Sequence, residues 1–270
     1  PIVGVIGDSQ ASLFAQRCFE PGMAKVTLGT GSSVLLNIGP EPRIPESGVV
    51  AALAWVHAGE PFYALEGIII HSAATLKWLQ DQLGLVRNVA EIETLAGEVE
   101  DSGGVYLVPA FSGLGLPHWA PEARAMITGL TGFSDRRHVV RAGLESIAYQ
   151  LRDALDALQA ESGVTLRALR ADGGPTANRL LMQFTADITG TDLSASDVPD
   201  CSPLGAALMG MLGVGVHDSL ASISKIEREH RVYRPAMPPQ EVESNIAGWR
   251  RAVQQALIGT SNQTYPETNP

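Results

Sequence analysis

The chain has 270 residues, with 19 lysines and arginines against 29 aspartates and glutamates, so its formal net charge is −10 at pH 7. Hydrophobic residues make up 45 % and charged residues 18 %, a composition of globular proteins that excludes disordered and fibrous classes. The acidic balance excludes a general attraction to nucleic acid or to anionic membranes. No apolar run approaches the roughly 18 residues of a membrane-spanning helix.

The first half of the chain reads mainly as strands. Residues 2–6 form a short apolar run that predicts a strand ending at Gly7-Asp8, and residues 11–14 predict a helical turn. Two β-rich runs flank a glycine-rich segment, which predicts a hairpin. Further strands are predicted at 49–57 and 62–65, followed by a helix at 68–83 that ends at Gly84.

The second half alternates strands with helices. The predicted elements are an acidic helix at 89–100, a strand at 105–109, a loop at 111–119, a helix capped by Ser134 and running past Leu158, a strand at 166–171, a helix at 176–189 and a helix begun by Ser202-Pro203. Residues from 259 onward predict a disordered tail. Hairpins followed by alternating strands and helices predict an α/β fold, with helices packed on a mixed sheet.

Three loops have residue types that suit chemistry. In the first, Asp8 directly follows an apolar run and a glycine. A carboxylate at the end of a strand can accept a proton from a hydroxyl or hold a hydrated metal. The alternative is an aspartate that caps the next helical turn.

The second loop is Gly29-Thr30-Gly31-Ser32-Ser33, at the tip of the predicted hairpin. Its glycines let backbone N–H groups approach an anion, and its hydroxyls add donors, so it suits a phosphate. The alternative is an ordinary hairpin turn, since neither a P-loop nor a dinucleotide glycine motif occurs in the chain.

The third loop is Asp172-Gly173-Gly174-Pro175, followed by Asn178. Adjacent glycines leave an open shelf on which a flat ring of a ligand can lie. The N-terminus of the helix that follows favours an anion or the polar edge of such a ligand. The alternative is a strand-to-helix turn in which glycine is needed only for its backbone angles. Together, the three loops suit a site for a nucleotide and an acceptor hydroxyl.

The sequence resembles a known family over most of residues 1–215. Five stretches carry the resemblance: Gly7–Gly39, YALEG at 63–67, VPAFSGLGLPHW at 108–119, residues 129–153, and DGGPTANRLLMQFTADITG at 172–190. They resemble the C-terminal domain of the FGGY carbohydrate kinases, and most closely the glycerol kinase branch. The resemblance implies a ribonuclease-H-like, actin-like ATPase domain over residues 1–258, with a mixed sheet and helices on both faces.

The family has two such domains, so the resemblance implies that the N-terminal sugar-binding domain is absent from the chain. The lack of an initiating methionine leads to the same expectation. We therefore expect this chain alone to fold but to have little kinase activity. We also expect a cytoplasmic location, because the two cysteines, Cys18 and Cys201, lie far apart and are predicted to be buried thiols of a reducing compartment. A homo-oligomer is expected as well.

The resemblance also implies roles for individual residues. Asp8 matches the catalytic base, and Asp8, Ser9 and Gln10 match the substrate-binding loop, although glycerol kinases usually have Gln where Ser9 stands. The matched nucleotide-binding positions are Gly29, Thr30, Gly31, Ser32, Gly173, Gly174 and Asn178. On the nucleotide-facing helix, Ala73 and Lys77 stand where the family often has Gly and Gln. No direct metal ligand is implied; Mg²⁺ would be held by the ATP phosphates and Asp8.

The implied activity is transfer of the γ-phosphate of ATP to a hydroxyl of a small polyol or sugar, with glycerol as the first candidate. A ketose or another polyol is the second candidate. A non-catalytic, nucleotide-switched actin-like module is a third, and it would hydrolyse ATP without an acceptor. The expected partners are therefore a small-molecule acceptor and the absent domain, with no nucleic acid and no membrane.

Overall fold

The computed structural model of the chain describes residues 2–227 and 229–258, so the tail predicted from residue 259 lies outside the described residues. The strands are β1 Met23–Leu28, β2 Ser32–Gly39, β3 Val50–His57, β4 Glu60–Ile69, β5 Tyr106–Val108, β6 Met126–Thr128, β7 Ala168–Asp172, β8 Leu193–Ser196 and β9 His230–Tyr233. The helices are α1 Asp8–Ala15, α2 Ala73–Asp81, α3 Glu91–Ala96, α4 Arg136–Ser162, α5 Arg179–Thr189, α6 Ser202–Gly213, α7 Leu220–Ser224 and α8 Pro239–Ile258. A short 3-10 helix, Gly174–Ala177, joins β7 to α5.

A seven-stranded sheet in the order β3-β4-β2-β1-β7-β8-β9 forms the centre of the described part of the chain. The first four strands pair antiparallel as hairpins, β1, β7 and β8 run parallel, and β9 returns antiparallel at the edge. In the parallel pair, Thr27 of β1 lies opposite Asp172 of β7. The loops that follow these two strands therefore leave the sheet at the same edge.

Helices cover both faces of this sheet, as the sequence predicts. On one face, α4 buries a stripe of Val140, Leu144, Ile147, Leu151 and Leu155 in the main core, together with the β2 side chains of Val34 and Leu36. On the other face, α1 and α6 bury Leu13, Phe14 and Leu208 with the intervening β2 residue, Leu35. Because successive side chains of a strand point to opposite faces, β2 contributes to both cores.

The predicted strand at residues 2–6 is wrong, because none of the strands in the described ranges pairs with it. The side chains of Ile2 and Val5 are 88 % and 83 % exposed. The segment runs instead along α6, where Gly213 lies so close to the Val3 carbonyl that a side chain there would overlap it. An apolar run alone does not show whether a partner strand is present.

The helix predicted at 68–83 begins later, at Ala73. Ile68 and Ile69 pair with Ser33 and Ser32 of β2, so the sheet ladder takes these residues into β4. The acidic helix is also shorter than predicted and covers only Glu91–Ala96. Strand pairing at the first place, and a reversal of the chain at the second, override the helical periodicity of the sequence.

Two predicted helix caps are each one residue away from the observed one. The cap of α4 is Asp135, whose carboxylate accepts a hydrogen bond from the Arg137 amide, rather than Ser134. Ser202 is the first helical residue of α6, and Cys201 occupies the cap position. Helix α5 starts at Arg179, after the 3-10 helix, rather than at 176. The sequence pattern did not predict β6, β8, α7, β9 or α8.

Among residues 2–227 and 229–258, none of the helices combines the length and apolarity needed to cross a membrane. Cys18 and Cys201 are both buried, as the sequence predicts.

Candidate active site

A cavity of about 520 Å³ opens at the edge of the sheet where β1 ends. Helix α1 forms one side, the β1–β2 hairpin another, and the end of β4 a third. Its lining residues are Asp8, Ser9, Lys25, Thr27, Gly29, Gly31, Ser32, Ser33, Glu66, Ile68, Ile69, Ile70 and Ser202. The structure thus brings the Asp8 loop and the glycine-rich hairpin together around one space.

Asp8 lies at the mouth of this cavity as the first residue of α1. Gly7, with extended backbone, is the helix cap, so Asp8 itself is not the cap. Its exposed carboxylate accepts a hydrogen bond of 2.7 Å from the amide of Ser9. Gln10 lies on the same turn but its amide oxygen is directed toward Gly7, and it does not line the cavity. Its predicted contact with substrate stays a prediction.

The hairpin tip is fixed by backbone hydrogen bonds to the start of α2. The carbonyl of Thr30 accepts from the amides of Ser72 at 2.9 Å and Ala74 at 3.1 Å, and that of Gly29 accepts from Ala73 at 3.0 Å. A Cβ on Gly31 would lie 2.6 Å from the carbonyl oxygen of Ile69, so this position requires glycine. Backbone contacts with α2 and β4 therefore hold the tip in place.

The twin-glycine turn lies against the end of β1, next to the hairpin. Gly173 has φ of 102°, and a side chain on it would overlap the carbonyl of Leu28, the residue before Gly29. A Cβ on Gly174 would meet nothing within 4 Å, so the space above it is open. The Asn178 Oδ1 atom accepts a 2.9 Å hydrogen bond from the amide of Leu181 and caps α5. The three predicted loops therefore adjoin at one edge of the sheet.

Several buried polar atoms near the hairpin have no partner within the described residues. Ser32 Oγ in the cavity wall, Ser72 Oγ and Thr75 Oγ1 at the start of α2, and Asp172 Oδ1 below the twin-glycine turn are all in this group. A buried polar atom without a hydrogen bond is costly, so these atoms suit a hydrated, polar ligand. No cluster of three or more His, Cys, Asp or Glu side chains with metal-binding geometry occurs in the described ranges.

Sequence reasoning missed the residues on the cavity floor. Lys25, Thr27 and Glu66 line it, and a chain of hydrogen bonds joins them through Ser33 of the predicted hairpin loop. The available signal was the presence of charged and hydroxyl residues within strands that are otherwise apolar. A lysine in the middle of MAKVTL on a central strand is costly to bury unless it is paired.

Three further polar residues lie outside the cavity. Glu145 is buried beside Arg141 on α4, and burial raises the pKa of its carboxyl to about 7 although the guanidinium opposes this. His71 forms a 2.8 Å hydrogen bond with Ser112 Oγ. Lys77 is 70 % exposed and pairs with Asp81 at 2.7 Å, so it is solvated. None of these residues lines the 520 Å³ cavity.

Comparison with known proteins places this geometry in a family. The chain is 45 % identical over 263 residues to a glycerol kinase of Chromobacterium violaceum, covering 97 % of this chain and 53 % of the relative. It is 46 % identical over 257 residues to a glycerol kinase of Caldanaerobacter subterraneus subsp. tengcongensis, covering 95 % of this chain and 52 % of the relative. The chain therefore spans about half the length of the curated relatives that it matches.

Solved structures give the same grouping. A crystal structure of Plasmodium falciparum glycerol kinase with ADP superposes with a TM-score of 0.88 at 36 % identity, covering 93 % of this chain and 50 % of that one. A gluconate kinase from Lactobacillus acidophilus, at 19 % identity and a TM-score of 0.81, shares the fold. This is the actin-like α/β fold that the sequence predicts. Residues 24–214 match the C-terminal domain of the FGGY family of carbohydrate kinases, and the chain belongs to that family.

Proposed function

We propose that this chain forms the nucleotide-binding half of an ATP-dependent kinase that phosphorylates a hydroxyl of a small polyol, and that the polyol is glycerol. The observation that carries the proposal is the single cavity shared by the Asp8 loop and the glycine-rich hairpin. The identity of about 45 % with curated glycerol kinases supports glycerol over a ketose. A nucleotide-switched module has no need for an exposed carboxylate at this place.

Asp8 is the proposed base. Its exposed carboxylate at the cavity mouth accepts the proton of the attacking hydroxyl and directs the oxygen toward the phosphoryl group. General base catalysis of this kind contributes roughly 10²–10⁴-fold to a rate. Ser9, which lines the same cavity, is the proposed contact for a second polar group of the acceptor.

The hairpin and the twin-glycine turn are the proposed nucleotide contacts. Phosphoryl transfer requires in-line positioning and stabilisation of charge on the phosphoryl oxygens more than covalent chemistry. The residues from Gly29 to Ser32 present backbone and hydroxyl donors to the phosphates, and the open shelf at Gly174 suits the base or the ribose. Mg²⁺, when bound, would be held by the ATP phosphates and Asp8, and it would supply positive charge that neutralises the phosphates.

We further propose that a second domain completes the site in the whole protein. The support is that the chain covers only 50–53 % of the glycerol kinases that it resembles. Two domains closing over the substrates exclude water, which limits hydrolysis of ATP in the absence of acceptor. Self-association and a cytoplasmic location remain predictions, of which the second accords with the burial of both cysteines.

The test is acceptor dependence in the full-length gene product. ADP release is measured with glycerol, with other small polyols, and with ketoses, each against a reaction without acceptor. The proposal predicts that glycerol stimulates ADP release most. Stimulation by a ketose alone would change the substrate, and slow ADP release that no acceptor stimulates would favour the nucleotide switch.

A further inference from the structure

A second cavity, of about 980 Å³, lies at the opposite end of β1 from the candidate active site. Met23, the first residue of β1, lines this second cavity, whereas the candidate active site opens where β1 ends. Its walls come from the turn after α1, from β7 and from the segment between α7 and β9. The two cavities share no lining residue, and the second one has the size of a pocket for a small-molecule ligand.

Arg170 is a half-buried cation in the wall of the second cavity. It lies in the middle of β7, and its Nε atom is buried without an acceptor among the described residues. The ion pairs of that part of the chain involve other arginines. A guanidinium that is removed from water and has no partner in the protein is costly, so this one suits a ligand that can accept its hydrogen bonds.

Arg17 reaches the same cavity from the turn after α1. Its Nη1 atom donates to the carbonyl oxygens of Ser224, at 3.4 Å, and of Ile226, and these contacts hold the guanidinium in place. Its Nε atom is buried and has no acceptor in residues 2–227 and 229–258. Its φ of 55° lies in the left-handed region that favours glycine at the end of a helix. The backbone of this turn therefore does not account for an arginine.

The two guanidinium groups repel each other. Burial, and the positive charge of Arg170, lower the pKa of Arg17. Glu20, Glu227 and Glu229 also line the cavity, but they are exposed, and none forms an ion pair with either arginine in the described ranges. The carboxylates thus lie in solvent at the mouth, and the half-buried arginines leave an uncompensated positive charge on the floor.

We propose that Arg17 and Arg170 form a second ligand site, which binds a phosphate group carried by a small phosphate monoester or present as inorganic phosphate. A dianion matches the two positive charges, and its oxygens can accept N–H groups from both guanidinium groups at once. A single carboxylate would balance only one of the two charges. The site is separate from the proposed kinase function, because none of its residues lines the candidate active site.

The experiment is calorimetry on the full-length gene product with inorganic phosphate and with methyl phosphate, at constant ionic strength and about pH 8, where phosphate monoesters are dianions. We expect Arg170→Gln and Arg17→Gln each to weaken binding of the preferred probe at least about tenfold, since each removes a charge-assisted contact. Arg43→Gln, at an exposed arginine that lines neither cavity, is the matched control and should bind like wild type. Tighter binding of methyl phosphate identifies a monoester as the ligand, and tighter binding of inorganic phosphate identifies the free ion.

Stability without phosphate gives a second readout. Because Arg170→Gln removes a repulsion, it should be at least as stable as wild type to chemical denaturation in phosphate-free buffer, and phosphate should stabilise wild type more than the variant. A loss of stability in phosphate-free buffer would show that Arg170 is paired in the protein and would overturn the inference. Equal phosphate affinity in wild type and both glutamine variants would also overturn it, and both results would leave the kinase proposal intact.

Discussion

Single glycines at the site have separable roles in folding and in binding. Gly173 has a backbone angle that side chains rarely adopt, and it touches the Leu28 carbonyl, whereas the space above Gly174 is empty. The sequence showed the pair GG but could not show this difference, because it arises from the approach of β1 to the turn. Only the packed structure tells which glycine the fold requires.

The first prediction follows from this difference. Gly173→Ala should reduce the free energy of unfolding by roughly 3 kcal/mol, because it adds strain and a steric overlap. Gly174→Ala should leave the unfolding free energy within about 0.5 kcal/mol of wild type but weaken ADP binding, since its methyl group occupies the open shelf. Chemical denaturation and calorimetry with ADP measure the two effects. Unchanged ADP affinity in Gly174→Ala would place the nucleotide elsewhere.

Asp153 gives the second prediction, on pH. Its Oδ2 accepts a 2.7 Å hydrogen bond from the indole of Trp249, and burial raises the pKa of the carboxyl to about 6. Because the folded pKa lies above the unfolded one, this group's contribution to stability is full below about pH 4 and is lost as pH rises through about 6.

Asp153→Asn keeps an oxygen for the indole but cannot ionise. Its unfolding free energy relative to wild type should therefore increase by about 1–3 kcal/mol between about pH 4.5 and about pH 7.5. Denaturation at several pH values measures this difference, with the exposed Asp192→Asn as control. A difference that does not change with pH would show that Asp153 titrates normally.

At the scale of elements, strong local patterns predicted the hairpin, the long helix α4 and the strand before the twin glycines. The predictions failed where the pairing of strands determines which residues join the sheet. Residues 2–6 and 68–69 have similar apolar runs, yet only the second finds a strand beside it and joins the sheet. The floor of the site was missed for a related reason, since Lys25 and Glu66 meet only when β1, β2 and β4 are paired.

Helix α5 gives the third prediction, because its cap is also a proposed nucleotide contact. Asn178→Ala removes the cap to Leu181 and should lower the unfolding free energy by about 1 kcal/mol. Asn178→Asp keeps a capping oxygen, so stability should stay within about 0.5 kcal/mol of wild type, while the added negative charge weakens ADP binding. Denaturation and calorimetry separate the two roles. Equal ADP affinity in wild type and both variants would leave Asn178 with the capping role alone.

At the scale of the whole molecule, the described residues form a seven-stranded sheet with cores on both faces, besides the two-stranded sheet of β5 and β6. The proposed site lies at the edge of the larger sheet rather than in its interior. A chain with these cores should fold alone, but an edge site that is open on one side should bind nucleotide weakly. We predict that the 270-residue chain binds ADP with a Kd weaker than about 1 μM, a binding free energy smaller than about 8 kcal/mol. Calorimetry on the chain measures this, and sub-micromolar binding would show that the site is already complete.

The most direct test of the account is the rate of glycerol-stimulated ADP release by Asp8→Asn in the full-length gene product. We predict a loss of roughly 10²–10⁴-fold in kcat with little change in the KM for ATP, because the amide cannot accept the proton of the attacking hydroxyl. Asp192→Asn, at an exposed aspartate away from the cavity, should retain wild-type turnover. Wild-type turnover in Asp8→Asn would contradict the account.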